Sequence, residues 1–512
     1  LIWSVNSPFK YVYLASLVMF VIGLTDDLKP LSAKLRLVVQ IAVALFVVYK
    51  LNLPILKINF TQTLTLNLPS GLGYVLSVFV IVGAINGINL TDGLDGLAGG
   101  VVMIGVVLLS MAYYLVSRDL ILIYSLSLPL LGCLLGFLKY NTHPATIFMG
   151  DGGSNWLGLI VGVLLVFVLS GSEIQTAGEI YSVVYNQNYN LPFLTGILCV
   201  ALPVLDTAFV MGRRLIAGKN PMTADKTHFH HTLLFIGLSH SQTVSAIYFL
   251  SFVIGVLGLM PVGYPAYNLV WVPWLALGLL SLVLYFSLRV DENAADQISV
   301  WKSGISINKG IWPYYKQTVI YLEIFNRYLI YGILSVVPLV AGIPHPAIGK
   351  AAIVGFGLIV ISSFARDDQS FFQSFVISVA SAVLLTAINF NTLHISLLDQ
   401  NYNIQFIYNA IFIILLASTV LYILLTFKRR YFIISPTDFL MIFLPLCLLF
   451  TPQSIRTEFN LNVISLRSLI FFVAVRILTR RYPGAFKRVR LMCAIGLLYV
   501  FLVSVCKLRI IY

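Results

Sequence analysis

The stretch Asn86-Gly-Ile-Asn-Leu-Thr-Asp-Gly-Leu-Asp-Gly-Leu-Ala-Gly-Gly100 lies between two apolar runs that have the composition of membrane helices. It carries two carboxylates, Asp92 and Asp95, and two side-chain amides, Asn86 and Asn89. Its glycines allow tight turns and the close approach of a ligand to the backbone. Hard oxygen ligands at such a turn suit a divalent cation. A polar turn between helices would look similar, so the interpretation depends on the other polar clusters of the chain.

Composition defines the class of protein. Of the 512 residues, 59% are hydrophobic and 10% are charged, whereas soluble domains contain roughly 25% charged residues. The formal charge of +13 is typical of basic cytoplasmic loops and does not call for nucleic-acid binding. The five cysteines have no metal-binding spacing and lie in apolar segments, so we interpret them as small buried apolar residues. The composition indicates a polytopic membrane protein.

Apolar runs of roughly the ~20 residues that a spanning helix needs predict an all-α protein with about sixteen transmembrane helices. The runs lie at 9–24, 37–53, 74–88, 97–116, 120–138, 156–170, 192–211, 244–262, 268–288, 317–342, 347–365, 371–389, 406–427, 437–450, 467–479 and 491–508. Alternate crossings place the loops 25–36, 89–96, 139–155, 212–243 and 289–316 on one face. These loops are rich in Lys and Arg, so the positive-inside rule predicts that they are cytoplasmic.

The chain divides into three regions. We predict a first domain over 1–290, a cytoplasmic linker over 291–316, and an additional transmembrane region of unknown function over 317–512. The chain begins at Leu1 in a short polar stretch, so we expect an N-terminal piece to be missing.

The first additional polar cluster, Thr25-Asp-Asp-Leu-Lys-Pro-Leu-Ser-Ala-Lys-Leu-Arg36, ends a predicted membrane helix. The adjacent Asp26 and Asp27 would be costly inside the hydrocarbon, about 2.5–3.5 kcal/mol each at a helix centre. They either reach water as a helix cap, with Ser32 as a further candidate cap, or orient an anionic lipid whose phosphate Lys34 and Arg36 neutralise.

The next cluster is Phe148-Met-Gly-Asp-Gly-Gly-Ser-Asn-Trp156, with Asp151 in a glycine-rich turn before a helix. The N–H groups of a helix N-terminus attract phosphate, and a neighbouring carboxylate can hold a metal that the phosphate also ligates. A simple helix cap is the alternative.

The last cluster, Gly212-Arg-Arg-Leu-Ile-Ala-Gly-Lys-Asn-Pro-Met-Thr-Ala-Asp-Lys-Thr-His-Phe-His-His231, holds two arginines and three histidines. Zinc binding is one interpretation, but no cysteine or second carboxylate supplies a clean fourth ligand. A patch that contacts phosphate and sugar fits the basic neighbours better. Asp206, near the end of the preceding helix, is either functional or a contact between helices.

Carboxylates for Mg²⁺, cations for phosphates and an interfacial position suit phosphoryl transfer, in which positioning and electrostatics supply most of the catalysis. The order Asp-Asp-x-x-x-Leu-Ser-x-Lys-x-Arg, Asn-x-Thr-Asp-Gly-x-Asp-Gly-Leu-Ala-Gly-Gly, Phe-Met-Gly-Asp-Gly-Gly-Ser and Asp-x-x-His-x-His-His resembles the polyprenyl-phosphate N-acetylhexosamine-1-phosphate transferases. Their superfamily includes the phospho-N-acetylmuramoyl-pentapeptide transferase. The resemblance covers about residues 1–290.

The resemblance implies transfer of a sugar-1-phosphate from a UDP-N-acetylhexosamine such as UDP-GlcNAc to undecaprenyl phosphate with release of UMP, an early membrane step of cell-envelope glycan or polysaccharide synthesis. It implies a Mg²⁺ ion, with Mn²⁺ as a substitute, bound by Asp151 with help from Asn89. Asp26 and Asp27 would deprotonate or orient the lipid phosphate, and Asp92 and Asp95 would hold the nucleotide and the metal's surroundings. The substrate-binding residues would be Lys34, Arg36, Asn86, Asn89, Arg213, Arg214, His228, His230 and His231.

The implied partners are the lipid bilayer, the two substrates and a second copy in a homodimer, without nucleic acid, at the plasma (inner) membrane with a cytoplasmic active site. The His-Phe-His-His pattern resembles the branch that makes sugar-lipids for O-antigen, teichoic acid or capsule, because Phe229 interrupts the three consecutive histidines of the muramoyl-pentapeptide branch. That branch remains an alternative. A transporter with intramembrane carboxylates, or an inactive scaffold, belongs to a different class. Against a transporter, the charges gather at one face.

Overall fold

The structure is a computed structural model that describes residues 7–60, 64–117, 120–177, 180–185, 191–216, 218, 228–235, 238–263, 269–287, 312–340, 346–363, 394–397, 400–403, 411–419, 421–422, 461–481 and 483–508. The chain divides into two compact units, Leu1–Gly304 and Ile305–Tyr512. The predicted spans 371–389 and 437–450, and most of the predicted linker 291–316, lie outside the described residues.

The first unit is built mainly of helices. They are α1 (Phe9–Leu28), α2 (Ala33–Leu51), α3 (Ser70–Thr91), α4 (Leu97–Ser117), a π-helical turn (Ile123–Ser127) that continues into α5 (Leu128–Asn141), α6 (Gly150–Ser170), α7 (Phe193–Cys199), α8 (Ala201–Ile216), α9 (Phe229–Phe235), α10 (His240–Gly263) and α11 (Val272–Ser287).

Two connections in this unit form antiparallel hairpins, which the all-α prediction did not include. Strands β1 (Lys57–Asn59) and β2 (Thr65–Asn67) pair with Lys57 opposite Asn67. Strands β3 (Ser172–Ala177) and β4 (Ile180–Tyr185) pair with Ser172 opposite Tyr185. Strands of three to six residues are too short for a period-2 pattern to stand out in a sequence.

Six described helices are long and apolar enough to cross a membrane, and a bent pair makes a seventh. The six are α1, α3, α4, the π-helical turn with α5, α6 and α10. Helix α2, which carries Lys34, Arg36 and Lys50, is not among them. The protein is therefore a helical, multi-pass membrane protein, and the predicted number of about sixteen spans stays a prediction.

The run at 192–211, which was predicted as one span, is not a single continuous helix. It is broken into α7 and α8, which meet at an angle of 90°. The break lies at Val200, whose φ of −126° and ψ of 21° are not helical. Pro203 explains it in part, because proline has no N–H to donate to the carbonyl of Cys199 in a continuous helix.

Helix α6 is the central helix of the unit and is buried along almost its whole length. It packs against α1 and α3 through positions without side chains. A Cβ on Gly23 of α1 would overlap the backbone of Asp151, and a Cβ on Gly158 of α6 would overlap the backbone of Ile85 in α3. Small residues allow membrane helices to approach this closely. The approach brings the ends of α1 and α3 to the start of α6.

The second unit contains α12 (Trp312–Val340), α13 (Pro346–Ser363), α14 (Leu461–Arg481), α15 (Pro483–Leu508) and the hairpin of β5 (His394–Leu397) with β6 (Gln400–Asn403). Its apolar core includes Ile330, Phe471 and Leu497. Cys199 in the first unit and Cys493 in the second are buried, as predicted, but Cys133 is exposed on α5.

Candidate active site

The acidic end of α1 is tied to the start of α2. Asp26 is buried, with 5% of its side chain exposed, and its Oδ2 lies 2.6 Å from Arg36 Nη1. Its Oδ1 accepts a hydrogen bond of 2.6 Å from the N–H of Leu31. The Ser32 hydroxyl accepts from the N–H of Leu35 at 3.3 Å, which confirms its predicted role as N-cap of α2. Asp26 and Arg36 therefore hold each other in place.

Asp27 caps α6 from a different helix. Its Oδ1 accepts the N–H of Asp151 at 2.8 Å, and its Oδ2 accepts the N–H of Gly152 at 3.0 Å. Gly150 precedes them with φ +65°, and a Cβ there would lie 2.7 Å from Asp27 Oδ2. We expected this helix N-terminus to attract phosphate, and that expectation is wrong for these two N–H groups, because a carboxylate already occupies them.

The carboxylate of Asp151 lies where α1, α3 and the start of α2 meet. Its Oδ2 lies 3.4 Å from Arg36 Nη1, so this guanidinium links Asp151 to Asp26. Its Oδ1 accepts from the amide of Asn89 at 2.7 Å, and the same amide donates to Ser154 Oγ at 2.9 Å. Three segments that are far apart in sequence therefore converge on one half-buried carboxylate.

A chain of amides supports this arrangement from inside the bundle. Asn86 donates to Gln40 Oε1 at 2.7 Å, Gln40 donates to Asn155 Oδ1 at 3.3 Å, and Asn155 donates to the carbonyl of Asp151 at 2.7 Å. Gln40 and Asn155 are buried, so these bonds satisfy groups that would otherwise be costly. The predicted Asn86 therefore acts here through the backbone of Asp151 and not through its carboxylate.

Asp92 follows the last residue of α3 and adds a further negative charge. Burial, and then the charges of Asp151 and Asp27, together raise the pKa of its carboxyl from 3.8 to about 6. The carboxylates of Asp92, Asp151 and Asp27 therefore carry more negative charge than their surroundings neutralise. A cation bound near these carboxylates would relieve that repulsion.

His230 lies against the loop that carries Asp92, at Gly93. His230 is buried, and a Cβ on Gly93 would lie 2.6 Å from its Nε2. His228 Nδ1 lies 3.0 Å from Asp206 Oδ2, while Asp206 Oδ1 accepts the N–H of Phe229 at 3.0 Å. Asp206 therefore orients both the His228 ring and the backbone that carries His230.

His230 is neutral at physiological pH. Burial lowers the pKa of its imidazole to about 3, and the neighbouring His231 and His228 lower it in the same direction. The His231 ring centroid lies 4.2 Å from that of His230. His230 can therefore offer a hydrogen bond to a ligand, but it cannot neutralise a phosphate as a cation.

Several predicted residues are not in contact with the central carboxylates. Asp95 binds His143 Nδ1 at 2.8 Å and the N–H of Ala145 at 3.1 Å, both through Oδ2. Burial alone would raise the pKa of the Asp95 carboxyl, but these two hydrogen bonds and the nearby imidazoles lower it.

The predicted basic residues differ in their exposure to solvent: Lys34 and Arg213 are exposed, whereas Arg214 is buried.

Sequence reasoning missed five residues of this region, which are Gln40, His143, Ser154, Asn155 and His240. Gln40 gave a usable signal, because it is the single polar residue within the apolar residues 37–48. His143 and His240 lie outside every quoted motif, and no sequence signal connects them.

Comparison with known proteins agrees with this geometry. The model of glycosyl transferase family 4 matches residues 9–169, which include α1 to α6. The chain is 38% identical over 248 residues to the "Probable undecaprenyl-phosphate N-acetylglucosaminyl 1-phosphate transferase" of Bacillus subtilis (strain 168), a match that covers 48% of this chain and 63% of that protein.

Two further relatives have related names. The "Decaprenyl-phosphate N-acetylglucosaminephosphotransferase" of Mycolicibacterium smegmatis is 35% identical, with 48% of this chain and 61% of the relative covered. The "Undecaprenyl-phosphate alpha-N-acetylglucosaminyl 1-phosphate transferase" of Escherichia coli (strain K12) is 27% identical, with 54% and 72% covered.

The chain thus spans 63% and 61% of the first two relatives. The matched region contains the α1–α3–α6 carboxylates and their supporting amides. By these matches, the region that contains the candidate site is similar to glycosyl transferase family 4 and to relatives named as polyprenyl-phosphate N-acetylglucosamine-1-phosphate transferases.

Proposed function

We propose that this protein transfers N-acetylglucosamine-1-phosphate from UDP-N-acetylglucosamine to undecaprenyl phosphate and releases UMP. The observation that carries the proposal is the convergence of Asp27, Asn89 and the Asp26–Arg36 pair on Asp151. The names of the relatives support both the polyprenyl phosphate acceptor and the N-acetylglucosamine donor.

The residues present fit a hard divalent cation. Four carboxylates interact here, and Arg36 is the basic side chain that the described residues bring into contact with them. Burial, together with the charges of Asp151 and Asp27, raises the pKa of Asp92, and a bound cation would relieve the part that comes from repulsion. Asp151, with Asn89 beside it, would hold Mg²⁺, or Mn²⁺ in its place, since both prefer oxygen ligands. When bound, the ion would neutralise charge on the diphosphate and on the departing UMP.

The protein's own residues then act mainly by position. Asp26 is buried in an ion pair with Arg36 and orients that side chain. Asp27 accepts two backbone N–H groups and orients the start of α6. A phosphate monoester has a second pKa of about 6, so the lipid phosphate needs little deprotonation at neutral pH. Arg36, with 35% of its side chain exposed, is placed to pair with that phosphate while it attacks in line.

The donor occupies the side lined by Gly93 and the histidines. Neutral His230 offers a hydrogen bond, and Asp206 holds His228 beside it. Asp92 and Asp95 flank Gly93 on the same loop. Asp92 faces the nucleotide, whereas the carboxylate of Asp95 is held by His143 and by the N–H of Ala145. His231, Arg213 and Arg214 lie on α8 and α9, and the two arginines supply positive charge for the donor's diphosphate.

The reaction takes place at the inner leaflet of the plasma membrane, with the site open to the cytoplasm. The basic loops and the carboxylates fall on the same side of the predicted topology, which supports this orientation. The product would enter a cell-envelope glycan. The homodimer stays a prediction.

The test uses membranes that contain the full chain, Mg²⁺, undecaprenyl phosphate and radiolabelled UDP-N-acetylglucosamine. We expect a labelled lipid that is extracted into organic solvent, and we expect Asp151→Asn to abolish it. Glu323→Gln makes the same carboxylate-to-amide change in the second unit and should leave the label in place. The absence of labelled lipid with every UDP-sugar tested, UDP-N-acetylmuramoyl-pentapeptide included, would refute the proposal. A label only with the pentapeptide donor would show the alternative branch.

A further inference from the structure

A second group of metal-ligating side chains lies beside the candidate active site. Asp95 belongs to the loop between α3 and α4, His143 to the loop between α5 and α6, and His240 is the first residue of α10. One ligand atom from each lies within 4.8 Å of those from the other two. The fold therefore brings together three potential ligands that are separated by 48 and 97 residues in the sequence.

The group is partly ordered by its own contacts. His143 Nδ1 and Asp95 Oδ2 lie 2.8 Å apart, and the N–H of Ala145 donates to the same oxygen at 3.1 Å. The imidazoles of His143 and His240 are nearly parallel, with an interplanar angle of 18° and centroids 4.2 Å apart. Both rings are thus held against one carboxylate.

One ligand atom in the group is not satisfied. Nε2 of His240 is buried and has no hydrogen-bond partner among the residues that the structure describes. The hydrogen bonds from His143 and Ala145 to the Asp95 carboxylate both go to Oδ2. Leaving a buried polar atom unpaired is costly, so this imidazole nitrogen, in a group that also holds a carboxylate and a second imidazole, calls for a ligand.

Two imidazoles and one carboxylate form a donor set that favours Zn²⁺ over Mg²⁺, which prefers oxygen ligands alone. Donors about 2.0–2.1 Å from a tetrahedral zinc ion lie about 3.4 Å from one another. The observed limit of 4.8 Å can close to that spacing by side-chain rotation, since 42% of the His143 side chain is exposed. A fourth position would remain for water.

We propose that Asp95, His143 and His240 bind one Zn²⁺ ion. The ion joins the loop after α3, the loop before α6 and the start of α10. The site uses nitrogen donors and does not share Asp151 or Asn89, the residues assigned to Mg²⁺, so the inference does not depend on the proposed transferase activity.

The test measures Zn²⁺ affinity and stoichiometry of the purified, metal-stripped full chain by competition with a chromophoric chelator, in excess Mg²⁺. We expect one tight site in the wild-type protein. His143→Gln and His240→Gln should each weaken it by at least about tenfold, as for the loss of groups that support a metal site. His231→Gln is the matched control, because it removes one histidine from the other cluster and should leave the affinity unchanged.

Unchanged Zn²⁺ affinity in both His143→Gln and His240→Gln would overturn the proposal, and so would a loss confined to His231→Gln. Circular dichroism without metal checks that each variant is folded. If His240→Gln does not fold, the variant at the exposed His143 decides the outcome. Substituting Co²⁺ gives a second measurement, because its visible absorption should report nitrogen ligation in the wild type and lose that signal in His143→Gln.

Discussion

Replacing Asp92 with asparagine should stabilise the metal-free protein, and the gain should depend on pH. Burial and the charges of Asp151 and Asp27 raise the pKa of the Asp92 carboxyl from 3.8 to about 6. A pKa that is higher in the folded state means that the folded protein holds this proton more tightly than the unfolded chain. Stability is therefore greatest below the ordinary pKa and falls as the pH rises through the window up to about 6.

The size of the effect follows from the two pKa values. At about 1.4 kcal/mol for each pKa unit, the step from 3.8 to about 6 corresponds to about 3 kcal/mol of lost stability at neutral pH. About 2 kcal/mol of this should develop between roughly pH 4.5 and pH 7.5. Asp92→Asn has no charge to bury, so it should escape that loss.

The assay compares the unfolding free energies of wild type and Asp92→Asn in detergent with EDTA at the two pH values. The advantage of the variant should be larger at the higher pH, and added Mg²⁺ should reduce it by screening the wild-type carboxylates. Asp95→Asn is the control of opposite sign, because the lowered pKa of Asp95 contributes stability above its ordinary pKa. An advantage for Asp92→Asn that does not change with pH would refute the electrostatic argument.

Three further predictions test other contacts. Gly93→Ala would place a Cβ 2.6 Å from the imidazole of His230. The variant should lower turnover by about 10²-fold, because that ring would be misplaced. An unchanged thermal midpoint would separate this effect from misfolding. Asp206→Ala leaves His228 and the N–H of Phe229 without their acceptor and should cost about 1–3 kcal/mol of stability. Asp206→Asn should retain more of that stability. Thermal unfolding measures both variants. Gly100→Ala would place a Cβ that overlaps the buried Tyr248 of α10 and should cost about 1–3 kcal/mol of stability. Gly132→Ala, with nothing within 4 Å of the added Cβ, is the matched control. Equal thermal midpoints for the two variants would contradict the packing argument.

The helical framework of the first unit could largely be predicted from the sequence. The apolar runs at 74–88, 97–116 and 156–170 lie within α3, α4 and α6, because a membrane span must bury its backbone polar groups in a helix and therefore needs a long apolar run. The bend between α7 and α8 was not predicted. The hydropathy of the run at 192–211 does not reveal this bend, because both halves of the run are apolar.

Several residues of the candidate site could also be selected from the sequence. Asp26, Asp27, Asn89 and Asp151 were chosen because carboxylates and amides at the ends of apolar runs are costly unless they have a role. Their contact in the structure agrees with the predicted common side of the membrane.

By itself, the sequence determined which residues are polar and where the apolar runs begin and end, and it predicted that four polar patches share one side of the membrane. The tertiary structure decided what each polar residue does. It made Asp27 the cap of α6, it left His230 uncharged, and it turned Asp95 toward His143 and His240. The physical reason is that charge state and pairing depend on burial and on distances of 3–5 Å between atoms, and these are set by how glycine-lined helices pack and not by spacing along the chain.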